Sequence, residues 1–273
     1  MKRILPREVR SVSNEVMSVL KRDYIYNLML KGKRTDGRAF DEVRDIEVKT
    51  NVIDKAEGSA WVKYGDTEVL VGVKMQVGTP FPDSAGEGVI ITSLELNPIA
   101  SPDFEAGPPR ENAIEMARVT DRGVRESGAI DLSKLCITEG EEVWMVFIDI
   151  HVLNNGGNIQ DASSMGAIAA LLTTTIPAES AGKGEDIAMP VKDMPLGVTV
   201  INIGGSLMVD PELDEETVCD TKITVVSNKD GSISGMQKSG DGALTEEQLF
   251  KAVDMACEKA AELREAHLSD LQN

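Results

Sequence analysis

Three arginines and two glutamates recur on one face of a predicted helix, and this pattern is the first candidate for chemistry. At positions i, i+4, i+7, i+11 and i+14 stand Glu111, Glu115, Arg118, Arg122 and Arg125. Ion pairs of Glu115 with Arg118 and of Asp121 with Arg125 would form an ordinary solvated face, in which each pair contributes about 0.2–0.5 kcal/mol. Arg118 and Arg122 are like charges one turn apart, however, so the alternative is a stripe that binds an external anion or the backbone of RNA.

The second candidate is the turn between an apolar run and a segment rich in small residues. Residues 143–153 form a nearly continuous apolar run, which predicts a buried strand. Residues 154–160 contain two glycines and predict a turn, and residues 161–172 predict a helix. Free backbone N–H groups at such a helix start can bind phosphate. An ordinary strand-to-helix connection has the same layout, so both interpretations stay open.

The third candidate is the acidic segment 210–220, in which Asp214 and Asp220 could act as a general acid or as metal ligands. A solvated acidic loop has the same composition. His151 lies inside the apolar run, which indicates a partly buried side chain with satisfied hydrogen bonds. The sequence offers no Ser/His/Asp or Cys/His set and no Walker, Rossmann or kinase motif, so we expect no cofactor and assign no metal site.

The charge of the chain is large and uneven. The 273 residues carry a formal net charge of −18, which argues against non-specific binding to nucleic acid. Residues 1–38, however, contain ten Lys/Arg and four Asp/Glu, a balance of +6 that leaves −24 for the remainder. Such asymmetry indicates a local interaction surface or a contact between subunits.

The sequence contains no targeting or membrane signal. No apolar run approaches the roughly 20 residues that a membrane-spanning helix needs, and the N-terminus lacks the apolar core of a secretory signal. The three cysteines fit neither a zinc site nor a disulfide framework. We therefore predict a cytoplasmic location.

Hydrophobic periodicity predicts hairpins followed by a helix, and this order occurs twice. Helices are predicted over residues 6–31, 108–125, 161–172 and 245–271, the last with Thr245 and Gln248 as a capping box. Strands are predicted over 43–48, 58–64, 67–75, 88–96, 143–153, 196–202, 206–210, 217–227 and 232–238. The pattern favours an α+β fold with an internal pseudo-repeat. We expect an N-terminal helix within 1–32 and one domain over 33–273, with repeats at about 33–140 and 141–273.

Taken together, these stretches resemble the RNase PH family of phosphorolytic exoribonucleases. The similarity covers about residues 30–265, and its motifs occur in the order that the family has. They are Arg34-Thr-Asp-Gly-Arg38, Glu42-Val-Arg44, Gly58-Ser-Ala, Gly65-Asp-Thr67, the arginine-bearing helix, Val152-Leu-Asn-Asn-Gly-Gly157, Asp214 with Asp220, and Gly240-Asp-Gly242. The resemblance implies the RNase PH fold, an internally duplicated unit of hairpins and helices similar to ribosomal protein S5 domain 2. It also implies assembly into six-membered rings.

Within the family, the chain is most similar to the non-catalytic ring subunits of archaeal exosomes, through Pro108-Pro-Arg-Glu and the Asn-Asn-Gly-Gly-Asn turn that ends at Asn158. Active members carry Ser or Thr followed by Arg at this turn, and these residues bind the attacking phosphate. The matching positions here are Asn158 and Ile159, and an aliphatic side chain offers phosphate no donor. The acid of active members matches Asp220, and Asp214 matches as well.

The resemblance thus implies a subunit without activity of its own. Its expected partner is a catalytic RNase PH-like subunit, with which it would form a heterodimer. Three heterodimers would close a ring, and the ring would also bind RNA-binding cap proteins and single-stranded RNA. Arg118, Arg122 and Arg125 would contact the RNA. The alternative is an active phosphorolytic 3′–5′ exoribonuclease, in which Gln160 replaces the missing arginine and Asp220 is the general acid. A small-molecule kinase is a third possibility, but the sequence shows no glycine-rich nucleotide loop.

Overall fold

The computed structural model describes residues 20–271, which build two large β-sheets and five α-helices. The strands are β1 (Ile46–Thr50), β2 (Gly58–Tyr64), β3 (Thr67–Gly78), β4 (Val89–Leu96), β5 (Cys136–Thr138), β6 (Glu142–Asn154), β7 (Thr175–Ile176), β8 (Ile187–Ala188), β9 (Leu196–Ile203), β10 (Ser206–Val209), β11 (Thr221–Ser227) and β12 (Ile233–Ser239). The helices are α1 (residues 20–29), α2 (Glu111–Glu126), α3 (Ile159–Leu172), α4 (Leu213–Val218) and α5 (Glu246–His267), with 3₁₀ turns at Leu132–Leu135 and Ser269–Leu271. Within residues 20–271, no helix has the length and apolar character needed to cross a membrane.

The first sheet has the strand order β1-β2-β3-β6-β4, with β5 beside β6. The hairpin predicted at Gly65 is confirmed, because Tyr64 pairs with Thr67 and Gly65 takes the positive φ of 59° that a two-residue turn requires. The prediction of antiparallel hairpins throughout is wrong for β4, which runs parallel to β6. Helix α2 lies on the connection between these two strands, and a parallel pair needs such a long crossover.

Helix α3 lies between the two sheets, where it contacts β2 and β3 on one side and β9 on the other. Nearly all of its residues are buried, and half of them are Ala, Ser or Gly. A Cβ atom at Gly166 would lie 2.8 Å from a methyl carbon of Val71, so a larger residue there would push the helix off the sheet. The predicted small-residue helix is therefore the central layer of the molecule.

The second sheet has the order β10-β9-β11-β12, and α5 covers its other face. Helix α5 begins with the predicted capping box, in which Thr245 and Gln248 each bond the other's backbone N–H. The strand predicted from residue 217 is wrong at its start, since β11 begins at Thr221 and residues 213–218 form α4. A second capping box, between Glu212 and Glu215, stabilises that helix.

Helix α1 packs its apolar side chains on the β9–β10 hairpin. Ile25 and Met29 form a small second core with Ile201, Ile203 and Met208. The predicted N-terminal helix is thus seen over residues 20–29, and its earlier part lies outside the described residues. The division of the chain into an N-terminal part, 1–32, and a domain, 33–273, with two repeats that meet near residue 140, stays a prediction.

Buried ion pairs connect the basic turn of residues 33–38 to the acidic segment. The guanidinium of Arg34 lies 2.6 Å from Glu215, and both side chains are fully buried. Arg38 and Arg44 both bind the carboxylate of Asp210, at 2.9 and 2.6 Å. Burial alone would raise the pKa of Asp210, but the hydrogen bonds and charge of Arg44 outweigh it, so its pKa lies below the usual value.

Replacing Asp210 with Asn should destabilise the fold severely. The amide would leave the guanidiniums of Arg38 and Arg44, whose side chains are only 11% and 8% exposed, without this negative charge. Breaking a buried pair from one side costs about 3–5 kcal/mol, and urea unfolding monitored by circular dichroism would measure it. The matched control is Asp214→Asn, whose half-exposed pair with Lys21 should contribute at most about 1 kcal/mol. Equal losses in the two variants would contradict the prediction.

Candidate functional site

The turn that leads from β6 into α3 holds its polar side chains inward. Asn158 caps the helix in the left-handed conformation, with φ 56°, and is only 1% exposed. Its side-chain amide donates to Asp210 at 2.9 Å and to Asp161 at 2.8 Å. Thr67 donates its hydroxyl to the carbonyl oxygen of Gly157 and fixes the preceding peptide. The Asn158 side chain is therefore committed to the core and offers nothing to a ligand outside it.

The backbone donor at the start of α3 is occupied by a carboxylate of the same chain. The N–H of Asn158 donates to Glu216 Oε2 at 3.0 Å, and Lys222 Nζ donates to Glu216 Oε1 at 2.6 Å. Burial alone would lower the pKa of Lys222, but the charge of Glu216 outweighs it and raises the pKa above its usual value. Glu216 thus stands where a helix N-terminus and a cation would together bind an anion.

The side chains of the two residues after Asn158 are buried and add no charged donor. Ile159 is 7% exposed and belongs to the core. Gln160 is 7% exposed as well, and its amide nitrogen donates to the hydroxyl of Thr120 at 3.0 Å. Gln160 carries no positive charge, so the alternative in which it replaces the missing arginine lacks a charged donor for phosphate.

A cleft of about 270 Å³ opens beside this helix start, between α2, α3 and the second sheet. Its lining includes Phe104, Glu115, Met116, Ile159, Gln160, Glu216, Lys222 and Gln237. Three of these lining residues are charged, Glu115, Glu216 and Lys222, and the last two form an ion pair at 2.6 Å.

The predicted arginine stripe lies on the exposed face of α2. Arg118 and Arg122 line a groove of about 430 Å³ together with Ile114 and Gln237. The expected pair of Glu115 with Arg118 is wrong, because Glu115 accepts a hydrogen bond from Gln237 instead, at 3.1 Å. Among residues 20–271, no carboxylate lies within 4.0 Å of either Arg118 or Arg122. The two guanidiniums are therefore available to an external anion.

Arg125 differs from the other two arginines of the stripe. It forms the expected ion pair with Asp121, at 2.7 Å, and donates to the carbonyl oxygen of Ile90 at 3.3 Å. These contacts tie α2 to the edge strand β4. The structure thus brings Arg118 and Arg122 together in one groove and places Arg125 one turn farther along, where it is already paired.

The groove and the cleft adjoin each other. Glu115 and Gln237 line both, so the hydrogen bond between them forms a common wall. A strand of nucleic acid held by Arg118 and Arg122 would therefore lie beside the opening of the cleft that contains Glu216.

Asp214 and Asp220 lie away from this cleft and are bound by α1. Lys21 contacts Asp214 at 2.7 Å, and Arg22 contacts Asp220 at 3.1 Å. The second oxygen of Asp220 accepts the N–H of Gly204 at 2.9 Å, so this carboxylate fastens the β9–β10 turn. Neither aspartate lines the cleft. In the described range 20–271, no group of three or more His, Cys, Asp and Glu side chains is arranged to hold a metal.

The expectation of a solvated acidic loop over 210–220 is wrong. Asp210 and Glu215 are fully buried against arginines, and residues 213–218 are helical. Sequence reasoning also missed Glu216 and Lys222 as residues of the site. Their spacing of six carries no recognisable pattern, and only the fold brings both to the start of α3.

Comparison with known proteins identifies the family. Models of the 3′ exoribonuclease family (RNase PH) match residues 42–177 with domain 1 and residues 193–259 with domain 2. The chain belongs to the RNase PH family. Similar curated relatives are named exosome complex component Rrp42. That of Methanosarcina acetivorans is 66% identical over 94% of this chain and 97% of its own length, and that of Archaeoglobus fulgidus is 53% identical over 92% and 97%.

Solved structures agree with the family. This RNase PH chain superimposes on a subunit of the Archaeoglobus fulgidus exosome with RNA bound to the active site, with a TM-score of 0.90, 52% identity and coverage of 92% and 99%. An archaeal exosome core gives a TM-score of 0.86 at 48% identity, with coverage of 93% and 98%. Rice Rrp46, at 19% identity and a TM-score of 0.68 over 88% and 100% of the two chains, supports the fold alone. The predicted α+β RNase PH fold is confirmed.

Asp161 should make the stability of the protein depend on pH between about 4 and 7. Burial raises its pKa from 3.8 to about 7, despite hydrogen bonds from Thr199 and Asn158. The folded chain therefore holds this proton more tightly than the unfolded chain. The stability that Asp161 contributes is present below its unfolded pKa and is lost as the pH rises through 7, by at most about 1.4 kcal/mol per pH unit.

Urea unfolding of the wild type and of Asp161→Asn across this pH range measures the effect. The free energy of unfolding of the wild type should fall relative to that of the variant as the pH rises. Parallel pH profiles for the two proteins would show that Asp161 does not titrate in this way.

Proposed function

We propose that this chain is a non-catalytic subunit of an archaeal exosome ring, which binds RNA and completes the active site of a catalytic RNase PH-like partner. The observation that carries the proposal is the start of α3. The position at which active members carry a phosphate-binding arginine is Ile159, and the N–H beside it is bound by Glu216. Phosphorolysis requires bound phosphate, and this cleft presents a carboxylate instead.

The arrangement of the acids supports the same proposal. Active members use an acid that matches Asp220, but here that carboxylate binds Arg22 and the Gly204 N–H outside the cleft. A general acid must reach the proton that it transfers. An active 3′–5′ exoribonuclease, the alternative, would need both a different acid and a different phosphate ligand.

The role in RNA binding rests on Arg118 and Arg122. In a chain of net charge −18, two exposed arginines without a carboxylate within 4.0 Å, among the described residues, form a local basic site. Such contacts hold the backbone and do not read bases. Arg125, paired with Asp121, would contribute less than its neighbours on the stripe.

The proposed partners follow the names of the relatives, which are exosome components. One catalytic homologue would pair with each copy of this chain, and three such pairs would close a ring that carries RNA-binding cap proteins. Rings of this kind form when heterologous contacts close on themselves. A cytoplasmic location is part of the same proposal.

The isolated chain should release no nucleoside diphosphate from single-stranded RNA in the presence of phosphate. The side chain of Ile159 offers the phosphate no donor, and that of Gln160 is uncharged and already donates to Thr120, so neither replaces the missing arginine. After mixing with an equal amount of a catalytic archaeal homologue, the ring should form and nucleoside diphosphate should appear. Size exclusion coupled to light scattering measures ring formation, and chromatography of the products measures the release of nucleoside diphosphate. Robust release by the isolated chain would favour the active alternative.

Charge reversal at Arg118 or Arg122 should weaken RNA binding by the reconstituted ring. Each lost phosphate contact should reduce the slope of log affinity against log salt by about 0.7–1, and fluorescence anisotropy at several salt concentrations measures it. The control is Lys251→Glu on the exposed face of α5, which makes the same charge change away from the groove. If the control reduces affinity as much as Arg118→Glu, the effect is one of net charge and the stripe has no special role.

A further inference from the structure

A cavity of about 310 Å³ lies near the end of α5, and a buried arginine forms part of its wall. Arg264 is 5% exposed, and it lines this α5 cavity together with Met194, Lys229, Ala261, Glu265 and Ser269. Lys222, near the start of β11, lines the cleft, whereas Arg264 contacts Ser227 at the end of the same strand. Five residues of extended strand span roughly 17 Å. The α5 cavity is therefore separate from the cleft and lies toward the other end of the second sheet.

The guanidinium of Arg264 keeps unused donors. Its Nη1 donates to the carbonyl oxygen of Ser227 at 2.6 Å, and Nη1 and Nη2 lie 3.4 and 3.5 Å from the hydroxyl oxygen of the same residue. Among residues 20–271, Nε has no hydrogen-bond acceptor. A guanidinium carries five N–H donors, so the contacts with Ser227 leave part of this set available to a ligand.

The positive charge of Arg264 has no carboxylate within 4.0 Å in the described part of the chain. The charge of Asp193 acts on it from farther away, since the Asp193 carboxylate accepts the N–H groups of Met194 and Lys229 at 2.6 and 3.0 Å. Burial outweighs this attraction and lowers the pKa of Arg264 below its usual value. Because a buried charge without a close partner is costly, an anion that entered the cavity would stabilise the charged form.

We infer that the α5 cavity is a binding site for a small oxyanion, a phosphate or a carboxylate, which the guanidinium of Arg264 holds. Phosphate and carboxylate both match the planar fork of an arginine, which can donate two parallel N–H···O bonds. Lys229 adds a second positive charge to the wall and Glu265 a negative one, so the lining carries a net charge of +1. The inference goes beyond the proposed function, because it requires neither RNA nor a catalytic partner.

Isothermal titration calorimetry of the full-length chain with inorganic phosphate, and separately with acetate, tests the site. The background protein carries Arg118→Ala and Arg122→Ala, which remove the exposed arginines of the groove. It should bind phosphate saturably, with a Kd near or below about 1 mM. Arg264→Lys in this background keeps the positive charge but loses the fork, so it should bind at least about tenfold more weakly.

The acetate titration distinguishes the two sources of the oxyanion. Binding of both anions would assign the site to carboxylates and phosphates alike, and binding of only one would assign it to that class. If neither anion binds saturably to the background protein, the inference is overturned. Equal affinity in Arg264→Lys and in the background protein overturns it as well, because the anion would then bind elsewhere.

Glu265→Gln tests the cavity without a change in its buried arginine. Glu265 is exposed, and the loss of its negative charge from the wall should tighten anion binding about threefold. The matched control is Glu258→Gln, which makes the same charge change on the exposed face of α5, two turns earlier and outside the cavity. This control should leave the affinity unchanged.

Equal gains in Glu265→Gln and Glu258→Gln would overturn the inference, because net charge alone would then explain both. If Arg264→Lys does not fold, the comparison of these two glutamate variants decides. The proposed function is tested separately, since nucleoside diphosphate release by the isolated wild type would overturn it whatever the α5 cavity binds.

Discussion

The buried carboxylate of Asp210 is the interaction on which the rest of the structure depends. It accepts hydrogen bonds from Arg38 and Arg44 in one segment of the chain and from the amide of Asn158 in another. The two arginines precede the first sheet, Asn158 begins α3, and Asp210 itself directly follows β10 of the second sheet. One carboxylate thus joins the segment before the first sheet, the start of the central helix and the second sheet. Because Arg44 keeps its pKa low, the carboxylate stays ionised despite burial.

Local patterns in the sequence predicted the elements of this fold well. The two-residue turn at Gly65 and the capping box of α5 follow from single residues with known conformational preferences. The small residues of α3 indicated a close approach to a sheet, and Gly166 shows how close it is. The parallel pairing of β4 with β6 could not be predicted in this way, since it depends on a crossover 45 residues long rather than on either strand.

The site was predicted less completely, for a physical reason. The resemblance to the RNase PH family pointed to the missing arginine at Ile159, because that loss is visible at one position. The sequence does not show that Glu216 is the carboxylate of the cleft, since the acidic segment contains several similar side chains. Glu215 is buried against Arg34, Glu216 enters the cleft and Asp214 faces solvent. Only the contact of Glu216 with Asn158, two residues that are 58 positions apart in the sequence, distinguishes Glu216 from its acidic neighbours.

The two halves of the site differ in how their charges are paired. Arg118 and Arg122 line the groove with no carboxylate within 4.0 Å among the described residues, whereas the adjoining cleft contains the ion pair of Glu216 with Lys222. The hydrogen bond from Gln237 to Glu115 lies at the boundary between the groove and the cleft. Under the proposed function, RNA would be held in the groove rather than in the cleft, because the positive charge of Lys222 is already paired with Glu216 while Arg118 and Arg122 have no such carboxylate within 4.0 Å among the described residues.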